Sequence, residues 1–186
     1  MKRTHRPGNH SMCVQPMFLI GTYDEKGNAN FAPITWLSVT SDGERFLIVV
    51  SMFGDKKTRK NVQKTGKMSA NLVSVPMLPL ADYLGSHSGN DGKKDGFSYA
   101  VSKGERLDVP TLDESPFVYE LAVEKSVTVG QSETFFCRAE YVEADEKVSL
   151  GEMGSGLDLT MLNPVIYSGD YHSLGRHLGT IGDFLP

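Results

Sequence analysis

Two segments with alternating apolar residues, FVYELAVEKSVTV (residues 117–129) and ETFFCRAEYVEAD (residues 133–145), constrain the fold more than any other part of the chain. In the first, every second residue from Phe117 to Val123 is apolar, and Glu120 falls on the opposite face of an extended chain. The second repeats this alternation, and only the short stretch GQS separates the two. The pattern predicts a long β-hairpin and therefore an antiparallel sheet.

Further strand-like segments precede this hairpin. Residues 17–23, 34–40, 45–53 and 68–75 are rich in apolar, β-branched or aromatic residues and are separated by turn residues. Many short strands in one domain predict a mainly β fold, specifically a closed or half-closed antiparallel barrel. The periodicity of the strands does not distinguish among the barrel types.

Helical signals are few. Asp55 is suited to cap a helix that runs to about Gln63, and Gly66 is suited to end it. Residues 76–89 are expected to contain one short helix before a Gly- and Ser-rich loop. Residues 90–110 are polar and are predicted to form a loop.

Length and charge exclude several classes of protein. The chain of 186 residues is long enough for one buried core, so we expect a flexible basic arm over residues 1–13 and a single domain over residues 14–186. No apolar run approaches the ~20 residues of a membrane helix, and a pI of about 5.7 argues against nucleic acid as a partner. Cys13 and Cys137 lie far apart and form no metal-binding pattern, which predicts two reduced thiols in a cytoplasmic protein and no metal site.

The stretch KKTRKNVQKTGKMSANLV, residues 56–73, is the most basic part of this acidic chain. It follows an apolar strand and a glycine-containing turn, and a helix beginning there would offer free backbone N–H groups to a phosphate. Lys57, Thr58 and Asn61 could add a charge, a hydroxyl and an amide. A solvated basic helix face is the alternative, and nucleic acid is a third, although the stretch lacks the aromatic residues that stack on bases.

The segment NANFAPITWLSVTS, residues 28–41, combines Ser, Thr and Asn with a single Trp. Such a strand can present backbone groups and hydroxyls to a flat ring with polar edges. It can equally be an ordinary half-buried strand with Trp36 in the core.

Five motifs in a fixed order resemble the flavin reductase-like FMN-binding split-barrel family, and in particular its flavoredoxin branch. They are FLIGTYDEKGNANFAPITWLSVTS, VVSMFGDKKTRKNVQKTGKMSANLVS, LGSHSGNDGKKDGF, LDESPFVYELAVEKSVTVG with TFFCRAEYV, and PVIYSGDYHSLGRHLG. The resemblance extends over roughly residues 14–180. It implies a Greek-key split β-barrel with a few short helices, which forms a homodimer and holds one FMN per protomer near the dimer interface.

The resemblance also assigns cofactor-binding residues. Thr35, Trp36, Leu37 and Ser38 are expected to line the isoalloxazine ring or the ribityl chain, and Ser51 to approach the phosphate. Lys57, Thr58 and Asn61 are expected to hold the phosphate, and Ser86, His87 and Ser88 to lie in a loop that closes over the site.

Two functions follow from the resemblance. The first is an oxidoreductase of the flavin reductase type, in which NAD(P)H reduces FMN and a partner oxygenase or another redox protein accepts the electrons. The second is a flavoredoxin-like electron carrier or FMN-binding module without nicotinamide activity of its own.

The chain has no GxGxxG after a strand, so a nicotinamide would bind in a shallow cleft over the flavin. We name no catalytic acid or base, because hydride transfer between the two rings requires none from the protein. A third interpretation keeps the barrel and replaces FMN with haem or a pyridoxine phosphate.

Overall fold

The computed structural model of the protein describes residues 13–91, 97–148, 158–179 and 183. The predicted arm lies outside these residues except for Cys13, and so does part of the SGNDGKKDGF loop.

The described residues form twelve strands and three α-helices. The strands are β1 (Gln15–Pro16), β2 (Phe18–Tyr23), β3 (Ala29–Ile34), β4 (Leu37–Ser41), β5 (Phe46–Phe53), β6 (Lys67–Leu72), β7 (Val101–Lys103), β8 (Pro110–Leu112), β9 (Phe117–Val129), β10 (Ser132–Ala144), β11 (Val165–Tyr167) and β12 (Tyr171–Ser173). The helices are α1 (Lys57–Thr65), α2 (Leu78–Ser86) and α3 (Leu159–Leu162). None of the helices in the described part of the chain has the length and apolar character needed to cross a membrane.

One antiparallel sheet of seven strands, in the order β3-β2-β6-β9-β10-β5-β4, dominates the fold. β3 and β4 lie at opposite edges of this sheet, yet only Thr35 and Trp36 join them. The gap from Ile34 to Leu37 can span at most about 11 Å at the reach of an extended chain. The two edges must therefore come together, which rolls the sheet into a barrel that is split where β3 and β4 diverge.

The junction of β3 and β4 corrects the sequence prediction of one strand over residues 34–40. The strand is interrupted at Thr35 and Trp36, where Leu37 N–H donates to Thr35 O over 3.0 Å. The apolar pattern is continuous across the break, because Leu37 packs against the barrel core as Ile34 does. A pattern of burial alone could not reveal that the chain changes edges there.

The other predicted elements are largely confirmed. The hairpin of β9 and β10 forms as expected, and α1 ends at Gly66, whose left-handed φ of 66° suits a glycine. The start of α1 differs, because the residue before the helix is Lys56 and no side chain caps it. The Asp55 carboxylate instead lies 2.8 Å from Lys60 Nζ. The predicted loop over residues 90–110 also contains the short strand β7, which pairs with β8.

Two apolar clusters lie on the two sides of the sheet. Phe18 and Ile20 point into the barrel, whereas Met17 and Leu19 pack under α2 on its outer side. The run MFLIG is therefore continuously apolar because both faces of β2 are covered. This covering fixes α2, and with it the segment that follows α2, against β3.

Candidate functional site

A cleft of about 470 Å³ opens where β3 passes into β4. Thr35, Trp36 and Ser51, three of the residues that the resemblance assigned to cofactor binding, lie in its wall. Ser51 N–H donates to Trp36 O over 2.9 Å, and the hydroxyl groups of Ser51 and Thr134 are 2.6 Å apart. Trp36 is 39% exposed, so it is not a residue of the barrel core. We call this hollow the seam cleft; its remaining walls are formed by Pro33, Ile34, Phe53 and Lys56.

A second hollow, the helix-end cavity, adjoins the seam cleft and has a volume of about 310 Å³. Lys57 and Thr58 at the start of α1 form one wall, and the other is formed by Ser86, the last residue of α2, with His87 and Ser88 after it. The first turn of an α-helix leaves N–H groups without intrahelical partners, and no side chain of the described residues caps this one. The cavity therefore combines backbone donors, the positive end of a helix dipole and a lysine, which is an arrangement suited to an anion.

Asn30 holds the helix-end cavity together. Its side-chain Nδ2 donates to Thr58 Oγ1 over 2.8 Å, and both residues are buried. Because Thr58 only accepts in this contact, its own hydroxyl hydrogen is left for another acceptor. On the far wall, a side chain at Gly89 would collide with Asn30 Oδ1, so glycine allows the loop to approach this closely. Asn90 Nδ2 also donates to Asp55 O over 3.0 Å, which links the loop to the start of α1.

The Lys57 ammonium is engaged with a carboxylate. Its Nζ lies 3.0 Å from Asp24 Oδ2, in the turn between β2 and β3. Partial burial acts to raise the pKa of Asp24, but hydrogen bonds from Lys57, Asn28 and Lys26 outweigh it and hold that pKa well below its usual range. Asp24 is therefore ionised near neutral pH and offsets part of the positive charge at the helix-end cavity.

Three of the residues assigned by resemblance lie away from both hollows. Asn61 lies on the buried face of α1, where its Nδ2 donates to Thr22 Oγ1 over 3.0 Å. Leu37 packs against the barrel core, and the Ser38 side chain is exposed on the edge strand β4. The structure thus brings eight of the predicted residues to the two hollows: Thr35, Trp36, Ser51, Lys57, Thr58, Ser86, His87 and Ser88.

Three residues around the two hollows were not predicted from the sequence as site residues: Pro33, Lys56 and Asn30. Pro33 and Lys56 line both the seam cleft and the helix-end cavity, and they also line a third hollow of about 360 Å³. Lys56 belongs to the basic stretch, so its charge was visible in the sequence, whereas the role of Asn30 depends on a contact with a residue 28 positions away. Tyr167, Tyr171 and Asp82 are among the other residues that line the third hollow, where Tyr171 donates its hydroxyl to Asp82 Oδ1 over 2.7 Å.

Together the seam cleft and the helix-end cavity suit an elongated molecule with a ring at one end and an anionic group at the other. In the described residues, no group of three or more His, Cys, Asp or Glu side chains is placed to hold a metal ion. Cys13 and Cys137 are not joined to each other, and burial raises the pKa of the Cys137 thiol to about 12, with a smaller contribution from the charge of Glu124. A neutral thiol is a poor nucleophile, and Cys137 lies in the barrel core and lines neither hollow.

A split barrel with a binding cleft at its seam defines a class of small β-proteins, and comparison with known families places the chain within it. The chain belongs to the flavin reductase like domain family, whose family model matches residues 10–174. A comparison with curated protein sequences gave no significant match.

Solved structures share the fold over nearly the whole chain. Flavoredoxin of Desulfovibrio vulgaris (Miyazaki F) is 24% identical with a TM-score of 0.85, and the alignment covers 99% of both chains. An FMN-binding protein from Thermus thermophilus with bound p-hydroxybenzaldehyde is 23% identical with a TM-score of 0.77, over 97% of both chains. Component B of nitrilotriacetate monooxygenase from Bacillus cereus is 15% identical with a TM-score of 0.81, over 97% of this chain and 99% of that one. These likenesses establish a mainly β split barrel.

Proposed function

We propose that the protein binds FMN and acts as an oxidoreductase of the flavin reductase type. The observation that carries the proposal is the continuity of the seam cleft with the helix-end cavity, because the two hollows share Pro33 and Lys56. Membership of the flavin reductase like domain family supports flavin over haem or a pyridoxine phosphate as the ligand. The two unpaired cysteines suit the reducing cytoplasm, where we expect the protein to act.

The helix-end cavity is the proposed phosphate site. The free N–H groups of the first turn of α1, the Thr58 hydroxyl and the ammonium groups of Lys56 and Lys57 would donate to the phosphate oxygens. We propose that Ser86 and Ser88 on the opposite wall add hydroxyl donors. Asn61 would support this site indirectly by holding α1 to Thr22.

The seam cleft is the proposed ring site. Thr35 and Trp36 would lie along the polar edge of the isoalloxazine, and Ser51 between the ring and the phosphate. The ring would supply hydride and electron transfer when bound, and the protein would hold it, orient it and limit the access of water. Leu37 and Ser38 would act only through the backbone of this segment, because their side chains point elsewhere.

A homodimer would complete the ring site. Strand pairing places Phe53 beside Ser132 and Val129, and Ser51 beside Thr134 and Val127, so these side chains share the outer face of the sheet. Phe53, Val127 and Val129 on this face are 55%, 41% and 72% exposed. Because Phe53 also lines the seam cleft, a second copy covering this face would close the cleft.

We propose that the exposed part of the C-terminal tail, residues 171–178, is a further part of the interface. Tyr171 and Leu174 are each 40% exposed and Leu178 is 73% exposed. They follow β11, which anchors the tail against β1. An apolar surface of this kind usually marks a contact with another chain.

The donor and acceptor of electrons distinguish the enzyme from the carrier. The name of the Bacillus cereus neighbour, a monooxygenase component, supports an enzyme that supplies electrons to an oxygenase, and we propose NAD(P)H as its electron donor. The name of the Desulfovibrio vulgaris neighbour favours a flavoredoxin-like carrier that another protein reduces. Rapid mixing of the FMN-loaded protein with NADH and with NADPH separates the two, because only the enzyme loses its flavin absorbance at a catalytically useful rate.

Titration with FMN and with riboflavin tests the proposed cofactor. We expect the wild-type protein to bind FMN more tightly, since a lost phosphate contact costs about 1.5–3 kcal/mol. Lys57→Ala should weaken FMN binding about tenfold and leave riboflavin binding nearly unchanged. Lys103→Ala is the matched control, because Lys103 is an exposed lysine on β7 that lines neither hollow. Equal affinity of the wild-type protein for the two flavins would refute the phosphate site.

A further inference from the structure

His87 lies in the wall of the helix-end cavity, just after the end of α2. Its Nδ1 is 2.8 Å from the main-chain oxygen of Tyr83, one turn earlier in the chain. The imidazole also stacks on the Tyr83 ring, with a centroid distance of 4.2 Å and an interplanar angle of 32°. The orientation of the ring is therefore set by two contacts with the same residue.

The contact with the carbonyl fixes the tautomer of the neutral ring. A carbonyl oxygen can only accept a hydrogen bond, so the proton of neutral His87 lies on Nδ1. Nε2 then carries a lone pair, and a lone pair repels the oxygen atoms of an anion. His87 can donate from Nε2 only after the ring takes up a second proton, so a bound anion favours the imidazolium form.

Charged groups around the cavity act on this equilibrium in both directions. From the start of α1, Lys56 and Lys57 disfavour a further positive charge and Asp55 favours it. Two of these charges are already partnered, since Lys57 pairs with Asp24 and Asp55 pairs with Lys60.

Among the residues that the structure describes, the remaining elements around His87 carry little charge. β3 contributes only the uncharged residues Asn30, Ala32 and Pro33 to the cavity. α2 contributes the phenol of Tyr83, and the segment after His87 carries the carboxylate of Asp91 next to the cavity-lining residue Asn90.

We propose that His87 couples phosphate recognition to proton uptake, so that the protein binds the phosphorylated flavin more tightly as the pH falls through the range in which imidazole is protonated. The proposal rests on the phosphate site of the proposed function. His87 is then a positioning and specificity-determining residue: it discriminates between FMN and riboflavin in acid, and loses this discrimination at higher pH. Riboflavin lacks the phosphate and should bind without any contribution from His87.

The direction in which FMN affinity changes with pH follows from the coupling between proton binding and ligand binding. If the complex binds one more proton than the free protein and the free ligand together, the affinity falls up to tenfold for each unit that the pH rises. The free phosphate has its own second ionisation near about 6, which is the same for every variant of the protein and cancels when two variants are compared.

The experiment is a titration of the full-length protein with FMN and with riboflavin at several values between about pH 5.5 and 8.5. His87→Gln is the informative variant, because the glutamine amide donates a hydrogen bond without titrating. We expect the ratio of wild-type to His87→Gln affinity for FMN to fall about tenfold or more across this range, and the ratio for riboflavin to stay constant. His172→Gln, which changes an exposed histidine on β12, should follow the wild-type profile at every pH.

The outcomes separate this inference from the proposed function. If the wild-type protein prefers FMN to riboflavin but His87→Gln shows the same pH profile, the phosphate site stands and the role of His87 is refuted. If the wild-type protein has no preference for FMN at any pH, the phosphate site itself is refuted. Circular dichroism of both variants checks the fold, and His87→Asn repeats the test if the glutamine variant does not fold.

Discussion

The Nζ atom of Lys57 lies 3.0 Å from Oδ2 of Asp24, so the lysine that the sequence most strongly suggests for phosphate binding already contacts a carboxylate. Asp24 lies in the turn between β2 and β3, and Lys57 begins α1. An arriving phosphate would share the ammonium with Asp24 or displace it. The ion pair therefore lowers the charge offered to a phosphate and keeps the Lys57 side chain ordered without it.

The variant Asp24→Asn should bind FMN several-fold more tightly than the wild-type protein, because removal of the carboxylate leaves Lys57 free for the phosphate. Asparagine can still accept the hydrogen bonds that Asp24 Oδ1 receives from the N–H groups of Lys26 and Asn28. Titration by fluorescence measures the effect, with riboflavin as the ligand control. Asp170→Asn is the protein control, because Asp170 is exposed between β11 and β12 and lines neither hollow. An unchanged FMN affinity would show that Lys57 stays away from the phosphate.

Trp36 should report directly on the ring site. It is the only tryptophan in the chain and lies in the wall of the seam cleft. A flavin ring bound there should quench its fluorescence, and Trp36→Phe should remove most of the signal while the protein still binds FMN. Emission that stays constant at saturating FMN would place the ring elsewhere in the barrel.

The variant Val127→Glu should disrupt the proposed dimer. It places a charge on the outer face of the sheet next to Ser51 and Thr134, and burying an unpaired charge in an interface is costly. Sedimentation at micromolar concentration should give about twice 20.4 kDa for the wild-type chain and the monomer mass for the variant.

A comparison of Val127→Glu with Val142→Glu controls for the mere addition of charge. Val142 is 47% exposed but lies at the opposite end of the β9–β10 hairpin. The Val142 variant should remain dimeric, and the Val127 variant should also bind FMN more weakly, because the partner no longer closes the seam cleft. A monomeric wild-type protein that binds FMN tightly would contradict the interface model.

The variant Glu120→Gln should lower the free energy of unfolding by about 1–3 kcal/mol, since an unsatisfied buried donor costs that much. The Glu120 carboxylate is buried and accepts hydrogen bonds from the N–H groups of Glu105, Arg106 and Leu107. A glutamine side chain has one oxygen and would turn an N–H group toward one of these donors. Urea denaturation measures the change.

Glu124→Gln is the control for that measurement, because Glu124 on the same strand is partly exposed and pairs with Arg45 and Arg138. Exposed pairs of this kind contribute about 1 kcal/mol or less. Equal losses of unfolding free energy for the two variants would mean that the hydrogen bonds donated to Glu120 by the N–H groups of residues 105–107 add little to stability.

Glu120 also shows where the sequence was informative and where it was not. The alternation in residues 117–129 predicted strand β9 correctly, since local periodicity alone determines which side chains share a face. It did not predict that Glu120 is buried. The partners of Glu120 are main-chain groups of the segment before β8, which local sequence does not reveal.

The residues of the candidate site also divide into those that the local sequence predicted and those that depend on tertiary contacts. Lys57 and Thr58 were predictable because a basic turn at a helix start is a local feature, and both lie in the helix-end cavity. Asn61 shared the same stretch of sequence, but the rotation of α1 turns it toward Thr22 and away from the cavity. The role of Asn30 was invisible for a related reason, because it depends on the tertiary contact between β3 and α1.

A molecule bound beside the two-residue link of Thr35 and Trp36 would hold the two sides of the barrel together. A ligand in the seam cleft would touch the end of β3, at one edge of the sheet, and Ser51 and Phe53 of β5, the strand next to the opposite edge. Neither wall exists until the barrel has closed, so the ligand binds only the folded chain. At a hundredfold excess over its Kd it would stabilise the closed barrel by about 2.7 kcal/mol, and the melting temperature of the protein would rise with the ligand concentration.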